Sequence, residues 1–408
     1  MVYNAAMLRH HIPFVNDRRK VRIFSMHNSA EPIYLDHAAT TIVDPRVANL
    51  IFAVMSEDFG NAGSRTHGYG LAALRHVSAA RAQVARGVAA DPSEVVFTSG
   101  ATESDNLATL GFAEHGIRTG LRHIVSTAIE HKAILEPLAR LEDQGFEVTR
   151  VRPGREGHVS AASVLDAVRA DTLLVSVMHA NNETGAIQPI GEIAGGLAED
   201  GPFLHVDAAQ TVGRATDALR SNRIDLISIS GHKVFGPKGV GALITRRRRG
   251  VRPPLAPIMV GGGQESGLRP GTLPVPLIAG FGLAVELACR EEVARRSACE
   301  KTRAAALDAL AALDPLVHGD PALGVLPNIL SIALPGIDSE ALMVALRDVI
   351  AISNGSACTS SRYEPSHVLT AMGLDADEVG ATVRISWAHN TGQIPWAAIV
   401  DRLVDLKI

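Results

Sequence analysis

Cysteine is scarce in this chain: three among 408 residues, Cys289, Cys299 and Cys358. An odd number without C-x-x-C spacing excludes a disulfide framework, a structural zinc site and a cluster-ligand set, and it suits a reducing cytoplasm. No residues are assigned as metal ligands. Long apolar runs are missing as well. Hydrophobic stretches are broken by Gly, Asp or Pro well short of the roughly 20 residues that a membrane-spanning helix needs. A basic surplus is absent too. With a net charge of −4 the chain does not read as a general nucleic-acid coat, and direct nucleic-acid binding is not expected. Lysine is the last scarcity. Of 39 Lys and Arg side chains only six are lysines, Lys20, Lys132, Lys233, Lys238, Lys301 and Lys407, so the place of each carries information.

What is present describes an ordered protein with a large core. Hydrophobic residues make up 46% and charged ones 20%, and the length allows about two domains. Residues 1–33 are basic, poor in acids and without the apolar core of a secretory signal, and read as a poorly ordered N-terminal extension, with Met26 as a possible true start. From about residue 71 to 245, apolar runs alternate with helical stretches. The runs are VVFTS (95–99), HIVST (123–127), FEVTRV (146–151), TLLVSVM (172–178), FLHVD (203–207) and DLISIS (225–230). Continuous rather than alternating hydrophobicity marks strands buried on both faces, and strand–helix alternation predicts an α/β domain with a mostly parallel sheet. VGALITR (240–246) is placed as an antiparallel neighbour, and the run Arg246–Arg249 as a solvated hairpin edge. After about residue 290 the texture changes to that of a smaller α+β domain. The expected division is 46–290 for the large domain and 34–45 with 291–408 for the small one.

Ligands of such sheets bind where the strands end, and three strand ends stand out. VVFTSGATESDN runs from a strand through a glycine turn into a helix. Its backbone N–H groups and the Thr102 hydroxyl would suit a phosphate, while Ser99 or Thr102 acting as a simple helix cap fits the stretch equally well. FLHVDAAQ ends a buried strand on Asp207, a carboxylate that needs a cation or several donors. SISGHKVFGPKG ends another on Lys233, where an ammonium is expensive to desolvate. One ligand satisfies all three: pyridoxal 5′-phosphate (PLP), whose aldehyde condenses with a lysine, whose protonated ring nitrogen pairs with an aspartate, and whose phosphate wants a helix N-terminus. His131, Asn182 and Gln210 fall at the same rim.

The ordered blocks YLDHAATT (34–41), FGNAGSRTHGYG (59–70), TSGATESDN (98–106), EHKAI (130–134), NNETG (181–185), VDAAQ (206–210), SGHKVFGPKGVG (230–241), GGGQESGLRPGT (261–272) and NGSACTSSRYEPSHVL (354–369) resemble the cysteine desulfurases. These are PLP enzymes of the class V aminotransferase group with fold type I. The likeness runs from Tyr34 to the C-terminus and is to the subgroup with a long, flexible cysteine loop, here about 352–366. By that resemblance Lys233 would hold PLP covalently and move the substrate's α-proton. Asp207 would pair with the pyridine nitrogen, Gln210 with the phenolic oxygen, and His131 would stack on the ring and assist proton transfer. Ala101, Thr102, Ser230 and His232 would hold the phosphate. Thr272 would be lent to the partner subunit's phosphate, implying a homodimer, and Arg384 and Asn182 would bind the substrate, L-cysteine. Cys358 would attack the substrate sulfur, keeping it as a persulfide for a protein acceptor and releasing alanine. Iron–sulfur assembly, tRNA thiolation and DNA phosphorothioation are alternative destinations.

Two departures from the family pattern concern Ser266, where many relatives carry arginine, and Ala62–Gly63. Rival functions on the same fold are an aminotransferase, which would not need Cys358, or a selenocysteine lyase. A catalytically silent scaffold would leave Lys233, Asp207, His131 and Arg384 without a purpose.

Overall fold

The computed structural model describes residues 31–354 and 365–406. Its strands are β1 (Ile33–Tyr34), β2 (Val95–Thr98), β3 (His123–Thr127), β4 (Glu147–Val151), β5 (Thr172–Met178), β6 (Phe203–Asp207), β7 (Leu226–Ser230), β8 (Gly241–Thr245), β9 (Leu316–His318), β10 (Ile329–Ala333), β11 (Ile350–Ala351) and β12 (Thr382–Ser386). The helices that matter here are α1 (Pro45–Ser56), α2 (Gly68–Gly87), α3 (Ala101–Leu110), α4 (Lys132–Glu142), α5 (Val275–Arg290), α6 (Glu292–Leu310) and α7 (Trp396–Val404).

Seven strands form one sheet in the order β2-β8-β7-β6-β5-β3-β4. The pairs among β3, β4, β5, β6 and β7 are parallel, and only β8 runs against its neighbours β2 and β7. The expected mostly parallel sheet and its single antiparallel strand are thus both present. The central strands are buried along their whole length, as continuous Val/Ile/Leu runs require when helices cover both faces. One face packs on α1, α2 and α5, with Val47, Val77, Phe97, Val177, Ile227 and Phe281 in its core. The other packs on α3 and α4 through Leu107, Ile134, Leu138, Leu174 and Leu243. At about 1.5–3 kcal/mol for each fully buried side chain of this size, these layers supply the bulk of the folding drive.

A second core joins Leu35 to α6, α7 and the small sheet β12-β10-β9 through Leu310, Leu330, Ile332, Val383, Trp387 and Leu403. Strand β1 pairs with β11, and Asp36 bridges to Ser386. The chain then crosses to the large sheet. Thr41 N–H donates to the His232 carbonyl at 2.8 Å, and Thr41 Oγ1 accepts from Phe235 N–H at 2.9 Å. Residues 36–41 therefore strap one core to the other directly beneath the strand-end rim.

The arginine run corrects half of an expectation. Arg246 is buried, donating to the carbonyls of Ser221 and Leu219, each at 2.8 Å. Arg248 pairs with buried Asp225 at 2.6 Å and lies over the Phe203 ring. Arg247 and Arg249 are exposed, as a solvated edge requires. Guanidinium stems buried against apolar surface, with forks that reach several carbonyls, make two of these arginines internal fasteners.

Candidate active site

The C-terminal ends of β2, β3, β5, β6 and β7 open into a cavity of about 640 Å³. Ala101, Thr102, His131, Asn182, Asp207, Gln210, Ser230, His232, Lys233 and Arg384 all line it. Thr272 does not; it is exposed and lies outside the cavity. Cys358 falls outside the described residues. The other two thiols are held away from reactivity: burial raises the pKa of Cys289 and pushes that of Cys299 up to about 11.

The phosphate end of the rim is built from backbone. The N-cap of α3 is Gly100, which makes no side-chain cap hydrogen bond, so the capping alternative for Ser99 and Thr102 falls away. The first-turn N–H groups of α3 face the cavity lining at Ala101 and Thr102. A side chain could not stand at Gly241, where a Cβ would come within 2.7 Å of the Gly100 Cα. That approach brings the start of β8 against the loop. His232 is fixed by Thr40 Oγ1 at 3.1 Å, and burial lowers its pKa to about 4, with the charges of Lys233 and Lys238 adding to the effect.

Asp207 closes the floor. Its Oδ1 accepts from Ala209 N–H at 2.9 Å. Burial raises its pKa, opposed by that hydrogen bond and by the charge of Lys233. Beside it stands Asp105, whose carboxyl burial drives well above the carboxylate range, with the Asp207 charge adding to the push. His205 spans this layer, meeting Ser176 Oγ and Ser228 Oγ at 2.9 Å each and Asp105 at 3.6 Å. Lys233 Nζ donates to the Ala38 carbonyl, which also accepts from Gln210 Nε2 at 2.9 Å. Gln210 Oε1 has no partner among the described residues.

His131 caps α4: its Nδ1 accepts from Ala133 N–H at 3.1 Å. The proton of the neutral ring is therefore on Nε2. Burial, then the charge of Lys233, hold its pKa at about 4, so the ring is uncharged at neutral pH. Arg384 is buried on β12. It donates to Asp36 Oδ1 at 2.7 Å, to Ser353 Oγ at 2.9 Å and to the Asn182 carbonyl at 2.9 Å, while its Nε is without a partner among the described residues.

These residues fit PLP. An uncapped helix N-terminus, a buried carboxylate awaiting a cation, a lysine at the same floor and an unpartnered amide atom on Gln210 are the donor and acceptor set that such a group needs. Asp105, Asp36, Ala38 and Arg214 were not singled out from sequence. Asp36 and Ala38 lay within a quoted block, YLDHAATT, without a role. Arg214, which donates to the carbonyls of Gln210 at 3.0 Å and Lys233 at 2.8 Å, had no signal at all.

Comparison with known proteins agrees with this geometry. Residues 33–393 match the aminotransferase class-V family. The chain is 46% identical over 360 residues to the cysteine desulfurase IscS of Anaeromyxobacter dehalogenans, covering 86% of this chain and 87% of that one. The crystal structure of DndA from Streptomyces lividans is similar with a TM-score of 0.77 at 49% identity, covering 87% of this chain and 99% of that one. SspA in complex with cysteine is similar with a TM-score of 0.74 at 36% identity, over 87% and 98% of the two chains.

Proposed function

The chain belongs to the cysteine desulfurases of the class-V aminotransferase family, PLP-dependent enzymes of fold type I, and on that basis we propose which of its residues do the chemistry and where the sulfur goes. The reading is carried by one observation: Lys233, Asp207, His131, Arg384 and the N-terminus of α3 converge on a single cavity. PLP, when bound, supplies an electron sink for negative charge at the substrate's α-carbon.

Lys233 anchors the cofactor and moves the α-proton with its amine. Asp207, lodged among groups that disfavour a free charge, holds a protonated ring nitrogen, and Gln210 and the uncharged face of His131 orient the ring. Ala101, Thr102, Ser230 and His232 receive the phosphate. Arg384, with Asn182 beside it, takes the α-carboxylate of L-cysteine, a task for which a guanidinium fork is suited. The Cys358 thiolate attacks the substrate sulfur. An S–S bond forms, the substrate's Cβ–S bond breaks with its electron pair left on carbon, and protonation there yields alanine, leaving Cys358 as a persulfide. That sulfur passes to a thiol of a protein acceptor.

Thr272 lies outside the cavity of its own chain, and Phe52, Met55, Phe59, Tyr69 and Leu74 leave an apolar face on α1, α2 and the segment between them exposed. We assign that face to a second copy, making a homodimer that shares its sites. Residues 46–290 are taken as the large domain, and 34–45 with 291–408 as the small one. No helix among the described residues is long and apolar enough to cross a membrane. A cytoplasmic location is our proposal from the sequence's few cysteines, odd in number and without paired spacing.

The test is alanine formation from L-cysteine by the purified protein and by Cys358→Ala loaded with PLP to the same extent. Alanine from the first and almost none from the second is expected. Transfer of the amino group to a keto acid without alanine would replace this reading with an aminotransferase.

A further inference from the structure

On the far side of Lys233 from the cavity, at the seam between the two cores, lies a small pocket of about 20 Å³. Arg214, Arg295, Arg296, Cys299, Asn328 and His389 line it, and no carboxylate does. Asn328 is 2% exposed, and among the described residues neither its Oδ1 nor its Nδ2 has a partner. Arg295 Nη1 and His389 Nδ1 are likewise buried and unpartnered. Each such group costs about 1–3 kcal/mol if nothing meets it, so several orphans converging on one void call for an occupant. The volume admits one atom-sized guest and excludes phosphate, sulfate or a carboxylate.

Charge decides which guest. Arg295 pairs with Glu291 at 2.8 Å and with Asp44 at 3.6 Å, and Arg46 pairs with the same two carboxylates at 2.6 and 2.7 Å. Exposed Arg290 reaches Glu291 as well, at 3.6 Å, so these two carboxylates are fully matched and neither is left for another cation. Arg296 has its own partner in Glu300 at 2.9 Å. Arg214 is left over. Among the described residues it meets no carboxylate, and its Nη1 and Nη2 donate to backbone carbonyls, of Gln210 and Lys233. Packing around it lowers its pKa only to about 10, so it stays charged at neutral pH. A neutral thiol at Cys299 does not compensate it. One uncompensated guanidinium calls for one monovalent anion.

We propose that this interdomain pocket binds a single halide ion of the chloride class, held by the Arg295 Nη1 and Asn328 Nδ2 donors and balanced by the charge of Arg214. The ion ties Asn328, just before β10, and Arg295 on α6 to Arg214 on the loop after β6. Arg214 in turn holds the carbonyls of Gln210 and Lys233, so occupancy steadies the backbone of two residues on the cavity floor. Halide is thereby a structural ligand of the assembled two-domain protein, independent of which reaction the cavity performs.

Thermal unfolding of the full-length, cofactor-loaded protein in sodium chloride or bromide against sodium gluconate at equal ionic strength tests this. A saturable rise in Tm of about 2 °C with either halide and none with gluconate is expected. Crystals soaked in sodium bromide should show an anomalous peak in this pocket, and Arg214→Gln should lose the halide response. Asn328→Leu, which fills the void without removing a charge, should lose it too and serves if Arg214→Gln does not fold. Equal effects of halide and gluconate, a bromide map with only water in the pocket, or an undiminished halide response in either variant would each overturn the assignment.

Discussion

Two buried acids place opposite demands on the protein, and each can be tested by a one-atom change. In the proposed mechanism Asp207 works only when ionised against a cationic ring nitrogen, and burial opposes that state. Asp207→Asn keeps the shape and loses the charge. It should retain PLP, with turnover reduced by far more than tenfold; a loss within tenfold, about 1.4 kcal/mol of barrier, is too small for an electron-sink partner. Glu130 shows the reverse. Its Oε1 accepts from Thr127 Oγ1 at 2.6 Å and from Met178 N–H at 2.9 Å, and burial raises its pKa from 4.5 to about 8. The folded state therefore binds a proton between those values that the unfolded state has released. The stability this proton contributes is fully present below pH 4.5 and lost as pH rises through about 8. Glu130→Gln lacks that slope, so its Tm relative to the parent should climb between pH 5 and pH 9; a pH-independent difference would contradict the buried proton. At this scale the chain was partly legible. Lys233 and Asp207 are charges ending apolar strands, an anomaly visible in any listing of residues. Asp105 sits among other polar residues in TESDN, and the Ala38 carbonyl that meets Lys233 and Gln210 is backbone, which carries no side-chain signature.

Among the elements, β2 carries the greatest liability, because it is an edge of the seven-stranded sheet and a free edge invites unwanted pairing. Glu265 covers it. Its carboxylate accepts from the Phe97 N–H at 2.7 Å and from Arg81 at 2.9 Å, and the Arg81 guanidinium lies 4.7 Å from the centre of the Phe97 ring. The backbone concedes something for this contact: Glu265 and Ser266 have φ of 49° and 59°, a left-handed conformation that ordinary side chains avoid. Glu265→Ala should destabilise the protein by about 2–4 kcal/mol in urea unfolding, with faster hydrogen exchange at Phe97 N–H, since a buried donor and a cation lose their partner together. Glu265→Gln, which keeps an acceptor, should lose less; equal losses would mean that the charge carries the whole effect and the neutral hydrogen bond to Phe97 contributes nothing. Elements differ in legibility for a physical reason. Strands β3, β5, β6 and β7 could be read because burial on both faces leaves unbroken apolar runs. Helix α5 could not, because it is buried around most of its circumference, which erases the 3.6-residue alternation that marks a surface helix. The buried arginines after β8 were misread for a related reason: a run of like charges looks solvated until the carbonyls it reaches are known.

At the scale of the whole molecule, the incomplete feature is Thr272, exposed and outside the cavity whose phosphate end it is expected to complete. The apolar side chains on α1 and α2, with Phe59 and Tyr69 stacked at 5.4 Å between ring centres, offer a face that a second copy would cover, and patches of this kind on a soluble protein mark interaction sites. A symmetric dimer sharing its sites makes a prediction that a monomer or a dimer with separate sites cannot satisfy. Lys233→Ala lacks the anchoring amine, and Thr272→Ala lacks the lent hydroxyl, so each homodimer is defective at both of its sites when PLP is limiting. In a mixed dimer, the site built from the Lys233 of one subunit and the Thr272 of the other is intact, and both losses fall on the second site. Unfolding and refolding the two variants together in equal amounts should then recover about a quarter of the parental activity, because half the dimers are mixed and each has one good site of two. No gain over the sum of the separate variants would place Thr272 outside the partner's site. Phe52→Glu combined with Met55→Glu should shift sedimentation to the monomer and abolish that recovery, tying the shared site to this face of α1.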